Sequence, residues 1–83
     1  MKILYFASLR QKIGRGEDDF TAPPNVKTVA DLIAALRAQG PEYAEAFRNT
    51  ERLRCAVNQT HVEFDSPVAA NDEIAFFPPV TGG

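Results

Sequence analysis

The sequence predicts an α+β domain in which a mixed sheet of about five strands packs against one main helix. Three observations lead to this prediction. Strand-like apolar segments lie towards both ends of the 83-residue chain, one clear helical period lies between them, and turn residues separate the segments. The length suits one domain. Hydrophobic residues make up 45% and charged residues 24% of the chain, which is close to the globular average and excludes a disordered tail or a coiled coil.

The first part of the predicted sheet is a hairpin. Residues 3–9 are rich in aromatic and aliphatic side chains, which predicts a strand, and Gly14 and Gly16 bound the loop after it. Residues 18–22 predict a shorter second strand that pairs back on the first. Pro23 ends this strand, because proline cannot donate a ladder hydrogen bond.

The main helix is predicted over residues 28–39. Thr28 is a suitable N-cap with Asp31 three residues on, and the pair Gly40-Pro41 ends the helix. Apolar residues recur here with the period of one helix face: Val29, Leu32, Ile33 and Leu36.

The second half of the chain predicts a short helix and three more strands. Pro41 opens the short helix, and the spacing of Tyr43 and Phe47 points both rings inward. The strands are predicted over residues 53–57, 61–64 and 73–77. A connection through a helix brings the next strand back parallel to its predecessor, so the order ββαβββ gives a mixed sheet with a β-grasp pattern. The domain then covers residues 1–77, and residues 78–83 form an extended tail.

The two longest strand segments are apolar on both faces, although a two-layer domain has a helix on only one face of its sheet. If the helix-facing residues are Ile3, Tyr5, Ile74 and Phe76, then Leu4, Phe6 and Phe77 point away from the helix. An exposed apolar patch of this kind is typical of a binding surface. The alternative is that loops, or the segment around Tyr43 and Phe47, fold over that face.

Composition excludes several function classes. The net charge is −2, and the basic residues are spread along the chain, which argues against nucleic acid. One cysteine and one histidine cannot close a disulfide or a zinc site. No apolar run approaches the roughly 18 residues of a membrane span, and a reducing cytoplasm fits the cysteine content. The acidic residues at positions 17–19 are interpreted as a solvated loop rather than a cation site.

The other candidate catalytic side chains favour structural roles. Cys55 lies in the middle of a predicted strand, where cysteine is usually a small buried hydrophobe. No serine or cysteine lies at a spacing from His61 that would indicate a catalytic pair, so a strand-surface or interface position is predicted for His61.

The carboxyl-terminal residues are the remaining feature. Pro78 and Pro79 stop ladder pairing and hold the chain extended, so residues 79–83 reach about 17 Å from the domain. Gly82 and Gly83 carry no side chains and fit a channel too narrow for a Cβ atom. From the residues alone, a functional arm and a frayed terminus are equally good interpretations.

The segments 71–83 and 56–59, together with the opening strand followed by Arg10, resemble the small, sulfur-carrying subunits of molybdopterin synthase. The most specific part is the ending Phe-Phe-Pro-Pro-Val-Thr-Gly-Gly. The resemblance implies that a partner enzyme adenylates the Gly83 carboxylate with ATP and that a sulfur donor converts it to a thiocarboxylate. The large subunit of the synthase then receives the tail. The chain is expected to bind no cofactor and to have no activity alone.

The resemblance also implies which residues act. Gly83 carries the sulfur, and the rest of the tail presents it: Pro78, Pro79, Val80, Thr81 and Gly82. The large subunit is expected to bind Leu4, Phe6, Arg10, His61 and Phe77. Three alternatives stay open: a sulfur carrier for thiamine synthesis, a ubiquitin-like protein modifier, and a noncovalent β-grasp binding module.

Overall fold

The computed structural model of the protein describes residues 1–79. The strands are β1 (Lys2–Tyr5), β2 (Glu17–Asp19), β3 (Arg54–Val57), β4 (Thr60–Val62) and β5 (Glu73–Phe77). The helices are α1 (Ser8–Ile13), α2 (Val29–Arg37) and α3 (Pro41–Ala46), and a 3-10 turn spans Thr50–Arg52. Within this part of the chain, no helix is long and apolar enough to cross a membrane.

The strands form one sheet in the order β2-β1-β5-β3-β4. The first and last strands, β1 and β5, lie side by side at its centre and are parallel, whereas the other neighbouring pairs are antiparallel. Strand β3 therefore runs in the same direction as β2, as a helical connection requires. The predicted mixed sheet of about five strands is confirmed.

The helices build the core on one face of this sheet. Alternate residues of the central strands are fully buried there, namely Ile3, Tyr5, Ile74 and Phe76, as the sequence predicts. Phe47, directly after α3, lies at the centre of the core. Its ring centroid is 5.0 Å from that of Phe76 and 6.3 Å from that of Tyr5, and both ring pairs are edge to face. The helices add Leu9, Ile13, Val29, Leu32, Ile33 and Leu36.

Helix α2 begins at the predicted N-cap. The Thr28 side chain accepts a hydrogen bond from the Asp31 amide, and the Asp31 carboxylate accepts one from the Thr28 amide. This reciprocal pair satisfies two amides that a helix start otherwise leaves without partners. At the other end of α2, the Arg37 side chain donates a hydrogen bond to the Phe47 carbonyl. This bond links α2 to the residue directly after α3.

Five predicted elements have other bounds in the structure. The strand predicted over residues 3–9 ends at Tyr5, because α1 begins at Ser8. The second strand covers residues 17–19 rather than 18–22, so the acidic segment is not a loop. The fourth strand covers residues 60–62 rather than 61–64. The third strand covers residues 54–57 rather than 53–57, and the main helix covers residues 29–37 rather than 28–39. The first error has a backbone cause: Ala7 has φ 54° and ψ −127°, which turns the chain sharply out of the strand and into the helix.

Candidate docking face and base of the tail

The face of the sheet opposite the helices, called the outer face below, carries an apolar strip flanked by charged side chains. One row crosses four strands: Leu4 lies opposite Ala75, Ala75 opposite Ala56, and Ala56 opposite His61. Towards the end of β5, Phe6 and Phe77 extend this surface. The alternative that the segment around Tyr43 and Phe47 covers the outer face is wrong, because those rings contact the inward-facing Tyr5 and Phe76.

Phe6 is the most exposed large apolar side chain in the described part of the protein. Its relative exposure is 47%, whereas Leu4 and Phe77 are half-buried. The Phe6 amide donates to the Phe76 carbonyl at 3.1 Å, which extends the β1–β5 ladder by one bond before the turn at Ala7. Phe6 is therefore held on the sheet by its backbone while about half of its surface stays exposed to solvent.

His61 belongs to the same surface. Its ring centroid lies 5.2 Å from that of Phe77, with the planes tilted by 50°. Only β3 lies between their two strands, and its residue opposite His61 is Ala56, whose short side chain leaves room for this contact. The structure thus brings together four of the five residues predicted to bind a partner.

Arg10, the fifth of these residues, lies apart from the others. It is exposed on α1, and its guanidinium packs over Gly16, where an added Cβ would come within 3.3 Å of the Arg10 Cζ atom. Within residues 1–79 no ion pair or hydrogen bond joins the Arg10 side chain to the outer face. Its predicted role in binding stays a prediction.

The start of the predicted tail lies half-buried beside the helices. Pro78 and Pro79 line a groove of about 430 Å³ together with α1 and residues 45–53, and this space is called the tail-base groove below. Leu9, Ala46 and Leu53 are its apolar lining residues, and Lys12, Arg48 and Arg52 are its cationic ones. The predicted site residues Val80, Thr81, Gly82 and Gly83 lie outside the described residues.

The surroundings of Cys55 favour a structural role over a catalytic one. Cys55 is 2% exposed, and burial raises the pKa of its thiol to about 12, so the nucleophilic thiolate is scarce at neutral pH. No group of three or more potential metal ligands occurs among the residues that the structure describes.

Asp18 of β2 turns inward. Its carboxylate accepts hydrogen bonds from the hydroxyls of Tyr5 (2.9 Å) and Tyr43 (2.7 Å), and from Arg15 (2.7 Å). Burial works to raise the pKa of Asp18, but these three hydrogen bonds outweigh it and hold the pKa below the usual value. The network ties the edge strand to α3, and the sequence pattern gave no sign of it.

A mixed five-stranded sheet, with its helices on one face and its central strand β5 leading to a Gly-Gly sequence, defines a ubiquitin-like protein of the β-grasp class. Solved structures share this fold. The small archaeal modifier protein 1 of H. volcanii is 25% identical with a TM-score of 0.78, covering 96% of this chain and 97% of that one. A putative molybdopterin converting factor subunit 1 from Pyrococcus furiosus is 28% identical with a TM-score of 0.74, covering 95% of each chain.

The chain belongs to the ThiS family, whose model matches residues 3–83. Two curated relatives are both called molybdopterin synthase sulfur carrier subunit. The protein of Escherichia coli is 42% identical over 83 residues, covering 100% of this chain and 99% of the relative. The protein of Haemophilus influenzae is 39% identical over 87 residues with the same coverage.

Proposed function

We propose that this chain is the sulfur-carrier subunit of molybdopterin synthase and that Gly83 is the residue that carries the sulfur. The observation that carries the proposal is the full-length similarity to relatives of that name, through to the Gly-Gly sequence. The sheet supports it, because the central strand β5 both displays Phe77 on the outer face and continues into the tail.

The proposed chemistry begins with activation. A terminal carboxylate is a poor electrophile, so a partner enzyme uses ATP to join AMP to the Gly83 carboxylate, and pyrophosphate leaves. A sulfur nucleophile then attacks the acyl carbon and displaces AMP, which leaves a thiocarboxylate on Gly83. The ATP is bound by the activating enzyme, and this chain supplies only the acyl group.

Transfer follows in the complex with the large subunit of the synthase. The tail enters the active site of that subunit, and the thiocarboxylate sulfur attacks a carbon of cyclic pyranopterin monophosphate and displaces an oxygen substituent. Water then hydrolyses the resulting thioester, which breaks the acyl carbon–sulfur bond, leaves the sulfur on the substrate and restores the Gly83 carboxylate. The product dithiolene contains two sulfurs and each tail brings one, so two loaded carriers are used for each molybdopterin. Holding the tail in place converts a bimolecular step into an effectively unimolecular one.

The outer face is the proposed docking surface for the large subunit. Leu4, Phe6 and Phe77 provide apolar area that the fold leaves uncovered, and such surfaces mark binding sites on small soluble proteins. The His61 ring adds to this area through its contact with Phe77. Arg10 is proposed to pair with a carboxylate of the partner at the margin of the contact.

Intact mass spectrometry tests the proposal. The purified chain is incubated with the activating enzyme, ATP and a sulfide source, and the expected product is heavier by the difference between one sulfur and one oxygen atom. The added mass should map to the peptide that contains Gly83. A loaded product whose sulfur maps to Cys55 would contradict the proposal.

The likeness to a small archaeal modifier protein favours one second candidate, a protein modifier. A modifier uses the same activated Gly83 but forms an isopeptide bond with a lysine of another protein. Conjugates that carry this chain in native cell extracts, without any free thiocarboxylate, would favour the modifier. A sulfur carrier for thiamine synthesis would instead form the thiocarboxylate but fail to support dithiolene formation.

A further inference from the structure

The tail-base groove carries an unusual excess of positive charge for an acidic chain. The protein has a net charge of −2, yet Lys12, Arg48 and Arg52 line this one groove with a single carboxylate, Glu45. Glu45 pairs with Arg48 at 3.7 Å. Among residues 1–79, no carboxylate lies within 4.0 Å of the Lys12 or Arg52 side-chain nitrogens. Two cations of the groove are therefore available to a partner.

The groove lies where any enzyme that uses Gly83 must approach. Pro78 and Pro79 form part of its lining, and four residues separate Pro79 from the end of Gly83. Four extended residues span at most about 14 Å. The entrance of an active site that holds Gly83 is therefore within about 14 Å of Pro79, which lines the same groove as Lys12 and Arg52.

We propose that the tail-base groove binds an acidic segment, rich in Asp and Glu, at the active-site entrance of the enzyme that adenylates Gly83. This inference rests on the proposed function. The charged groove and the apolar outer face are suited to binding different partners. Exposed charges at the margin of an interface mainly raise the association rate, which suits an enzyme that must bind and release many carriers. The apolar outer face is already assigned to the large subunit, so the charged groove remains for the other enzyme that must reach Gly83.

The test is a charge reversal in the groove with a matched control. The groove variant carries Lys12→Glu and Arg52→Glu. The control carries Lys27→Glu, Thr21→Glu and Gln39→Glu, three exposed positions away from the groove that change the net charge by the same amount. Both are compared with the unaltered chain in the adenylation reaction, followed as pyrophosphate release at limiting carrier concentration.

We expect the groove variant to lower kcat/KM by about 10- to 100-fold at low salt and the control to stay within about twofold. The deficit should shrink as salt rises from about 0.05 to 0.5 M, because screening weakens exposed charge pairs. The groove variant should bind the large subunit as the unaltered chain does. Equal losses in both variants, no loss in either, or a loss confined to large-subunit binding would each overturn the inference.

Failure of the inference is distinguishable from failure of the proposed function. If the groove is irrelevant, the groove variant is adenylated as fast as the unaltered chain and still yields a Gly83 thiocarboxylate. If the proposed function is wrong, the unaltered chain itself yields no thiocarboxylate with any amount of activating enzyme, or yields a thiocarboxylate that supports no dithiolene formation.

Discussion

Truncation of Phe6 to alanine isolates the contribution of the outer face. A phenylalanine side chain buries about 200 Å² when fully covered, so the 47% exposure of Phe6 leaves roughly 90 Å² for a partner to bury. At about 25 cal/mol per Å², loss of this area weakens docking by about 2 kcal/mol, or roughly 30-fold in Kd. The free protein should lose little stability, because about half of the Phe6 surface is already exposed to solvent.

Titration calorimetry against the large subunit measures the change in affinity, and chemical unfolding of the free chain measures stability. Phe20→Ala is the matched control, since Phe20 is a half-buried aromatic that packs against the core away from the outer face. It should lower the free energy of unfolding yet leave Kd unchanged. The reasoning is refuted if Phe6→Ala leaves Kd within about twofold, or if both variants weaken docking equally.

Three other variants test the packing and the chemistry. Cys55→Ala should cost about 1 kcal/mol in unfolding free energy and leave sulfur loading intact; loss of loading in the folded variant would indicate a thiol relay. Because the pKa of Asp18 is lowered in the folded protein, its stabilising contribution is present above the ordinary aspartate value near 4 and is lost as pH falls through the lowered value. Asp18→Asn should therefore flatten the fall in stability at acid pH, and an unchanged acid profile would refute this account. Gln59→Gly should stabilise the protein by about 0.5 to 1 kcal/mol, because Gln59 has φ 70° in the β3–β4 turn; lower stability in thermal unfolding would contradict it.

The sequence predicted those elements whose signals are local. Helix α2 has a full apolar stripe and a capping box, and both operate in the structure, whereas the C-cap of the helix is Ala38 and the predicted terminating glycine, Gly40, precedes α3 instead. Side chains of a strand point alternately to its two faces, and this rule, applied to the predicted first and last strands, predicted both the buried residues and those of the outer face. The two-residue turn at Asn58 and Gln59 was also recognisable from its position between two strands.

Features made by distant segments could not be predicted in this way. Helix α1 has six residues, too few for a convincing period, although the four-residue spacing of Leu9 and Ile13 was a usable signal. The Asp18 network joins residues up to 25 positions apart, and no local pattern marks an acidic side chain as inward-facing. The tail-base groove likewise combines segments that only the folded chain brings together.

Deletion of Gly83 tests most directly the claim that this residue carries the sulfur. The deletion moves the terminal carboxylate back by about 3.5 Å, and a misplacement of about 1 Å can already cost 100-fold in rate. The measurement is molybdopterin formation by the reconstituted synthase supplied with the deleted chain after treatment with the activating enzyme, ATP and sulfide. Phe6→Ala at saturating concentration is the control, because it weakens docking while keeping the tail. The account predicts unchanged binding to the large subunit and no dithiolene from the deleted chain, whereas near-normal product would contradict it.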